Sequence, residues 1–193
     1  MPTFAFELRT FRNRRETGRR GTVGPFGEVT TRRPKTTFWR GADIPGFGEV
    51  RLESEGLPDT RYRFGASSAD HDVDRGHLFV EGTEMSFDYD RRAFRNRSRA
   101  LTIHGEHRDY TYSVLQVHRR VVLERPGIRV GFERGKSSTG KGGSSFGVAT
   151  GDVDALDMAL AIIFEEVNTS ALTSMGATSA MINKIANLPR SNE

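Results

Sequence analysis

Short apolar runs alternate with turn-forming residues through most of the chain. Thr3–Leu8 carries Phe4, Phe6 and Leu8 at every second position, the period of a strand with one buried face. Clusters of Gly, Pro, Asp, Asn and Ser separate the runs that follow, up to about residue 150. The pattern therefore predicts successive strands rather than helices. Further short candidates are Thr36–Arg40, Glu49–Leu52, Arg61–Phe64, His77–Glu81 and Glu84–Tyr89.

The most regular part of the pattern lies between residues 99 and 133. It predicts four antiparallel strands joined by short turns, which is a meander. With the earlier candidates and a last strand at Phe146–Thr150, about ten to twelve strands are expected. An open sheet of that size would leave long exposed edges, so a closed barrel or a sandwich is favoured. The four strands are Ala100–His104, Asp109–Val114, Val117–Glu124 and Arg129–Glu133.

One almost wholly apolar helix is predicted near the C-terminal side, from Asp152 to about Asn168. Asp152 suits the N-cap, and Asp154 and Asp157 place negative charge in the exposed first turns, where the helix dipole favours it. Between Ala155 and Phe164 the only polar residue is Asp157. A surface helix would show a polar face, so we expect this helix to be enclosed by protein.

At 193 residues the chain fits a single domain, predicted over residues 1–193. Residues 136–145 contain only Gly, Ser, Thr and Lys and are predicted to form a flexible loop. A weak second helix is predicted after Thr169, with the chain poorly ordered from about residue 188. Its apolar positions are Met175, Met181, Ile182 and Ile185.

The amino-acid composition excludes only a few kinds of functional site. No cysteine is present, so a thiolate metal site and a thiol nucleophile are excluded. The first ten residues do not resemble a signal peptide, and no apolar run reaches the roughly 20 residues of a spanning helix. A cytoplasmic, soluble protein is expected. The net charge of +4 and the predominance of arginine permit an anionic partner, although arginine is also what a GC-rich genome produces.

Two motifs suggest chemistry but fit ordinary loops better. Gly135 to Lys141 has the spacing of a phosphate-binding loop, but Gly142 follows where Ser or Thr would hold magnesium. The histidines lack the spacing that puts two imidazoles on one face of a strand. We therefore predict no catalytic residue, no cofactor and no metal site. The histidines concerned are His71, His77, His104 and His107.

Arginines cluster in segments that fall in or beside predicted turns. If these segments converge on one face, they form a binding surface for phospholipid head groups or another anion; if they are scattered, they are solvated loop charges. The candidate anion- or lipid-binding residues are Arg14, Arg15, Arg19, Arg20, Arg32, Arg33, Arg91, Arg92 and Arg95.

The region from about residue 99 to 166 resembles the tubby C-terminal-like superfamily, which includes LURP-one-related proteins and phospholipid scramblases. The residues that carry the resemblance are Arg99–Gly105, Tyr110–Tyr112 and Gly151–Asp157, which leads into the apolar helix. The resemblance implies a closed antiparallel barrel of about twelve strands around one central hydrophobic helix. It also implies a non-enzymatic role in phospholipid binding, membrane tethering or protein scaffolding.

The leading hypothesis is thus a binding module, peripheral to an anionic membrane or held by a protein partner. The first alternative is a barrel enzyme or ligand carrier, either a cupin-like metal enzyme or a lipocalin-like pocket. The second is a nucleic-acid-binding protein, although the sequence has no recognised motif for reading DNA or RNA. The oligomeric state is left open.

Overall fold

The computed structural model describes residues 2–34, 47–65, 73, 76–90, 99–116, 119–135 and 143–173. These ranges contain twelve antiparallel strands in a closed barrel and one α-helix. The strands are β1 (Thr3–Arg12), β2 (Glu16–Thr22), β3 (Glu28–Pro34), β4 (Phe47–Ser54), β5 (Thr60–Gly65), β6 (Gly76–Val80), β7 (Thr83–Asp88), β8 (Leu101–His104), β9 (Asp109–Gln116), β10 (Arg120–Arg125), β11 (Ile128–Arg134) and β12 (Ser145–Thr150), and the helix is α1 (Ala155–Ile163).

Each strand pairs with its neighbours in sequence, and β1 closes the barrel. The first half of β1 pairs with β12, from Thr3 opposite Thr150 to Leu8 opposite Ser145. The second half pairs with β2, from Arg9 opposite Arg20 to Arg12 opposite Thr17. One long strand, β1, thus joins β12 to β2 and closes the barrel of described strands, which leaves that sheet without a free edge.

Helix α1 fills the barrel. Its side chains from Asp157 to Ile163 are all buried, and it contacts β4, β5, β10 and β11. Phe164, directly after the helix, packs its ring 5.1 Å from that of Tyr112 and 6.3 Å from that of Tyr62. Burying the apolar side chains of this segment contributes on the order of 10 kcal/mol before entropy is counted, at about 1.5–3 kcal/mol each.

The barrel and its enclosed helix confirm the fold that the sequence predicts, but several boundaries differ. Strands β2 and β3 were not predicted, because their arginines and threonines hide the alternation. Strand β10 begins at Arg120 rather than Val117, and the predicted strand Thr36–Arg40 lies outside the described residues, as does the predicted second helix.

The helix is shorter than predicted and starts differently. It covers Ala155–Ile163, and its N-cap is Asp154 rather than Asp152. Asp154 and Asp157 form a capping box, each side chain accepting a hydrogen bond from the backbone N–H of the other. Asp157 was expected at an exposed helix start; its side chain is instead fully buried. The half-buried Arg125, which pairs with Asp157, accounts for that difference.

The barrel has two ends, which we name by their contents. At the hairpin end, β1 ends at Arg12 and β2 begins at Glu16, and the chain leaves α1. At the helix-start end, β12 ends at Thr150 and α1 begins at Ala155. Since the strands are antiparallel, connections alternate between the two ends around the barrel.

Candidate anion-binding surface

Two arginines are bonded to the carboxylates at the start of α1, inside the helix-start end. Arg125 makes a bidentate pair with Asp157, at 2.7 Å from Nε to Oδ1 and 2.8 Å from Nη2 to Oδ2. The hydrogen bond to Asp157 raises the pKa of Arg125. Arg108 donates to Asp154. Burial works against ionisation of Asp154, but the bond from Arg108 and the capping bond outweigh it, and the pKa of Asp154 is lowered.

A second buried cluster holds the residues that follow α1, at the hairpin end. Arg134 binds Glu165, with 3.0 Å between Nη2 and Oε1, and Ser145 donates to the same carboxylate at 2.8 Å. Arg19 donates to Glu166 Oε1 at 2.7 Å and to the carbonyl of Glu165 at 2.8 Å. Cations beside the last carbonyls of a helix complement its dipole. This cluster therefore fixes the helix in the barrel.

Two predicted anion-binding residues point toward this second buried cluster rather than outward. Arg19 lies on β2 and Arg33 on β3, not in turns, and both face the barrel interior. Arg33 lies with Nη1 3.5 Å from the carbonyl of Glu166. Because both guanidinium groups are directed at the C-terminal side of α1, neither belongs to an outer anion-binding surface.

Arg32 faces outward but is already paired. Its guanidinium binds Glu16 and, at 2.8 Å, Glu53, and it lies 5.9 Å from the centre of the Phe11 ring. On the next strands Arg51 is opposite Arg32, and Arg61 is opposite Arg51. Like charges directly opposite each other are unfavourable, so this row depends on neighbouring carboxylates.

Carboxylates alternate with these arginines on the outer faces of β3, β4 and β5, which we call the wall. Glu49 accepts from Arg51 at 3.0 Å and from Arg63 at 2.9 Å, and Arg61 pairs with Asp59 at 2.6 Å. The signal was present in the sequence, since Glu and Arg alternate at every second position of β4. The ion pairs themselves depend on the pairing of β3, β4 and β5, which the sequence did not reveal.

The turn between β1 and β2 places two arginines in solvent. Asn13 closes this turn: its Oδ1 accepts from the backbone N–H of Arg15 and of Glu16, both at 2.8 Å, and its own N–H donates to the Glu16 carbonyl at 3.0 Å. The side-chain carbonyl substitutes for a backbone acceptor, so the turn needs no glycine. Arg14 and Arg15 at its centre are exposed.

The exposed arginines differ in whether a carboxylate accompanies them. Within the described ranges, five exposed arginines have an acidic partner within 4 Å: Arg9, Arg51, Arg63, Arg120 and Arg129. The exposed arginines that lack such a partner there all belong to the β1–β2 hairpin, and we call them the hairpin arginines: Arg12, Arg14, Arg15 and Arg20.

A surface depression of about 330 Å³ connects the hairpin with the paired wall. Arg15 of the hairpin lines it together with Arg32 and Arg51. An anion in this depression would meet three guanidinium groups, and it would compete with the carboxylates that line the same space, which are Glu16, Glu49 and Glu53.

The remaining candidates are three arginines, the histidines and the glycine-rich motif. Arg91, Arg92 and Arg95 lie outside the described residues, as do His71 and most of the Gly135–Lys141 motif. His77 and His104 are engaged with carboxylates, Nδ1 of His77 lying 2.6 Å from Glu84. In the part of the chain that the structure describes, no group of three or more His, Asp and Glu could hold a metal ion.

No protein-family model, curated protein or solved structure matches this chain. None of the helices in the described ranges has the length and apolar character needed to cross a bilayer.

Proposed function

We propose that this protein is a non-enzymatic binding module that docks on anionic phospholipid membranes through its hairpin arginines. The observation that carries the proposal is the contrast in pairing. Elsewhere on the described surface, exposed arginines share their charge with a carboxylate; on the β1–β2 hairpin, Arg12, Arg14, Arg15 and Arg20 do not. An unpaired guanidinium retains its full attraction for phosphate and makes bidentate hydrogen bonds to it.

The filled interior supports a surface function. Helix α1 occupies the space that a lipocalin-like carrier would use for its ligand, and the buried carboxylates of Asp157 and Glu165 at its two ends are bonded to arginines of the barrel. A closed antiparallel barrel with an internal helix is also what membership of the tubby-like superfamily implies. We include that membership in the proposal, together with a peripheral, cytoplasmic location.

Vesicle sedimentation tests the proposal. The protein is mixed with phosphatidylcholine vesicles that contain or lack phosphatidylserine, at low salt and at about 0.5 M salt, where the Debye length falls to a few ångströms. We expect binding to the anionic vesicles only, and its loss at high salt. Each arginine near an anionic surface contributes about 1 kcal/mol, so R14Q/R15Q should weaken partitioning about thirtyfold.

A matched control removes the same charge from the paired set. R120Q/R129Q eliminates two exposed arginines that pair with Glu133 and Glu124 on the outer face of β10 and β11. This variant should bind nearly as well as the unaltered protein. Equal binding to neutral and anionic vesicles, or equal losses in the two variants, would refute the proposal. Binding to nucleic acid but not to vesicles would favour the other anionic partner that the sequence leaves open.

A further inference from the structure

In the part of the chain that the structure describes, unpaired carboxylates and unpaired arginines are concentrated at different ends of the barrel. Four exposed carboxylates that have no arginine or histidine within 4 Å in the described ranges lie at the helix-start end: Glu28, Glu55, Glu81 and Asp152. They occupy the first residue of β3, the β4–β5 and β6–β7 connections, and the connection that leads into α1. Unpaired arginines, in contrast, belong to the hairpin, three of them at its tip: Arg12, Arg14 and Arg15.

Paired charges lie between these two sets. The outer faces of β3, β4 and β5 carry arginines and carboxylates in contact with each other, so the wall presents little net charge to a distant surface. The charges of the described residues therefore draw the hairpin end toward an anionic plane and drive the helix-start end away from it. The helix opposes this polarity only weakly, because its dipole amounts to about half a charge at each terminus.

The separation of the two ends makes them independent in solution. The seven residues of β2 alone span roughly 20 Å at about 3.3 Å per residue. With the tilt of roughly 35–45° that barrel strands have, the two ends lie about 15 Å apart along the axis, which is nearly twice the Debye length of about 8 Å at physiological ionic strength. An anionic surface that touches the hairpin end is thus screened from the carboxylates at the helix-start end, whereas a surface touching the wall would meet both signs of charge.

We infer that the barrel docks end-on, with the axis of α1 closer to the membrane normal than to the membrane plane and the hairpin end in contact with the phospholipid head groups. The inference rests on the proposed function, since it describes how the same hairpin meets the membrane. It identifies the interaction surface as the end of the barrel rather than its arginine-rich wall. The acidic end is left free in the bound state.

The absence of cysteine from the chain allows a direct test with single labels. A fluorophore is attached to one introduced cysteine at a time, and quenching by lipids with a spin-labelled head group is measured on phosphatidylserine-containing vesicles. Q116C reports on the hairpin end without touching the hairpin arginines, T83C on the helix-start end, and T30C on the wall beside Arg20.

We expect the label at residue 116 to be quenched most, the label at residue 30 less, and the label at residue 83 hardly at all. In E28R/E55R, which gives the helix-start end its own cations, the label at residue 83 should become quenched. Stronger quenching at residue 30 than at residue 116 would show side-on docking and overturn the inference while leaving the proposed function intact. No vesicle binding by the unaltered protein would overturn both.

Discussion

Arg125 and Asp157 form the most enclosed ion pair at the helix-start end. Both guanidinium contacts are below 3 Å, and the side chain of Asp157 has no exposed surface. The same carboxylate accepts a hydrogen bond from the backbone N–H of Asp154, so it both completes the helix cap and pairs with Arg125 of β10. The pair joins the start of α1 to the end of β10.

Replacing Arg125 with methionine should destabilise the protein by about 3–5 kcal/mol, because the buried carboxyl group of Asp157 would lose its main partner. The free energy of unfolding in urea measures this loss. The double variant R125M/D157N should recover part of it, since no unpaired charge is then buried. If the double variant is no more stable than R125M, the cost arises from lost packing of the arginine side chain.

The helix cap gives a smaller and more local effect. D154A removes the oxygen that accepts from the N–H of Asp157, and it should cost about 1 kcal/mol, as cap substitutions commonly do. D152A changes an exposed aspartate two residues earlier, which the sequence alone had suggested as the cap. We expect D152A to leave the urea midpoint unchanged, and a larger loss in D152A than in D154A would contradict the assignment.

Two glycines of neighbouring strands should respond oppositely to an added methyl group. A Cβ at Gly147 would lie 2.1 Å from the ring of Phe6, so G147A should destabilise the barrel by about 1–3 kcal/mol through overpacking. At Gly131 the nearest atom would be 3.9 Å away, and G131A should be neutral or slightly stabilising. Thermal unfolding of both variants checks the contrast, which fails if their shifts are equal.

His104 should make stability depend on pH. Its Nε2 lies 3.0 Å from Asp88 and its Nδ1 lies 3.1 Å from Asp109, and these hydrogen bonds raise its pKa. Because the folded-state pKa exceeds the usual value of about 6.5, the contribution is complete below that pH and disappears as the pH rises through the raised pKa.

The difference in urea midpoint between the unaltered protein and H104Q, followed from about pH 5.5 to 8.5, isolates this contribution. We expect the difference to favour the unaltered protein at the acidic end and to vanish at the alkaline end. D88N/D109N retains the imidazole but removes both carboxylates, and it should lose the pH-dependent difference. A difference that grows with pH would contradict the geometry.

The fold could be predicted from the sequence where the residues on one face of an element are apolar. Phe4, Phe6 and Leu8 revealed β1, and the run from Ala155 to Phe164 revealed an enclosed helix. Strands β2 and β3 escaped prediction because arginine and threonine occupy both of their faces. A strand shows no alternation of apolar and polar residues when its inward positions hold arginines such as Arg19 or Arg33.

The candidate site was less predictable, because the sequence does not show whether the side chain of an arginine is paired, buried or free. Arg19 and Arg20 are adjacent, yet alternation along β2 turns the first toward Glu166 and the second to solvent. The partners of Arg32 are Glu16 and Glu53, which lie 16 and 21 positions away in the sequence. Only the register of the barrel separates these cases from Arg14 and Arg15.

The pairing of β1 with β12 has a consequence for how the chain becomes structured as it is made. During synthesis, β1 has no partner on one edge until β12 is made, since Thr3 pairs with Thr150. Until then that edge can pair with other chains. Long-range pairing of this kind makes folding slow. Synthesis must also proceed beyond Phe164 before the core has its helix, so a chaperone that shields β1 would improve the yield of folded protein.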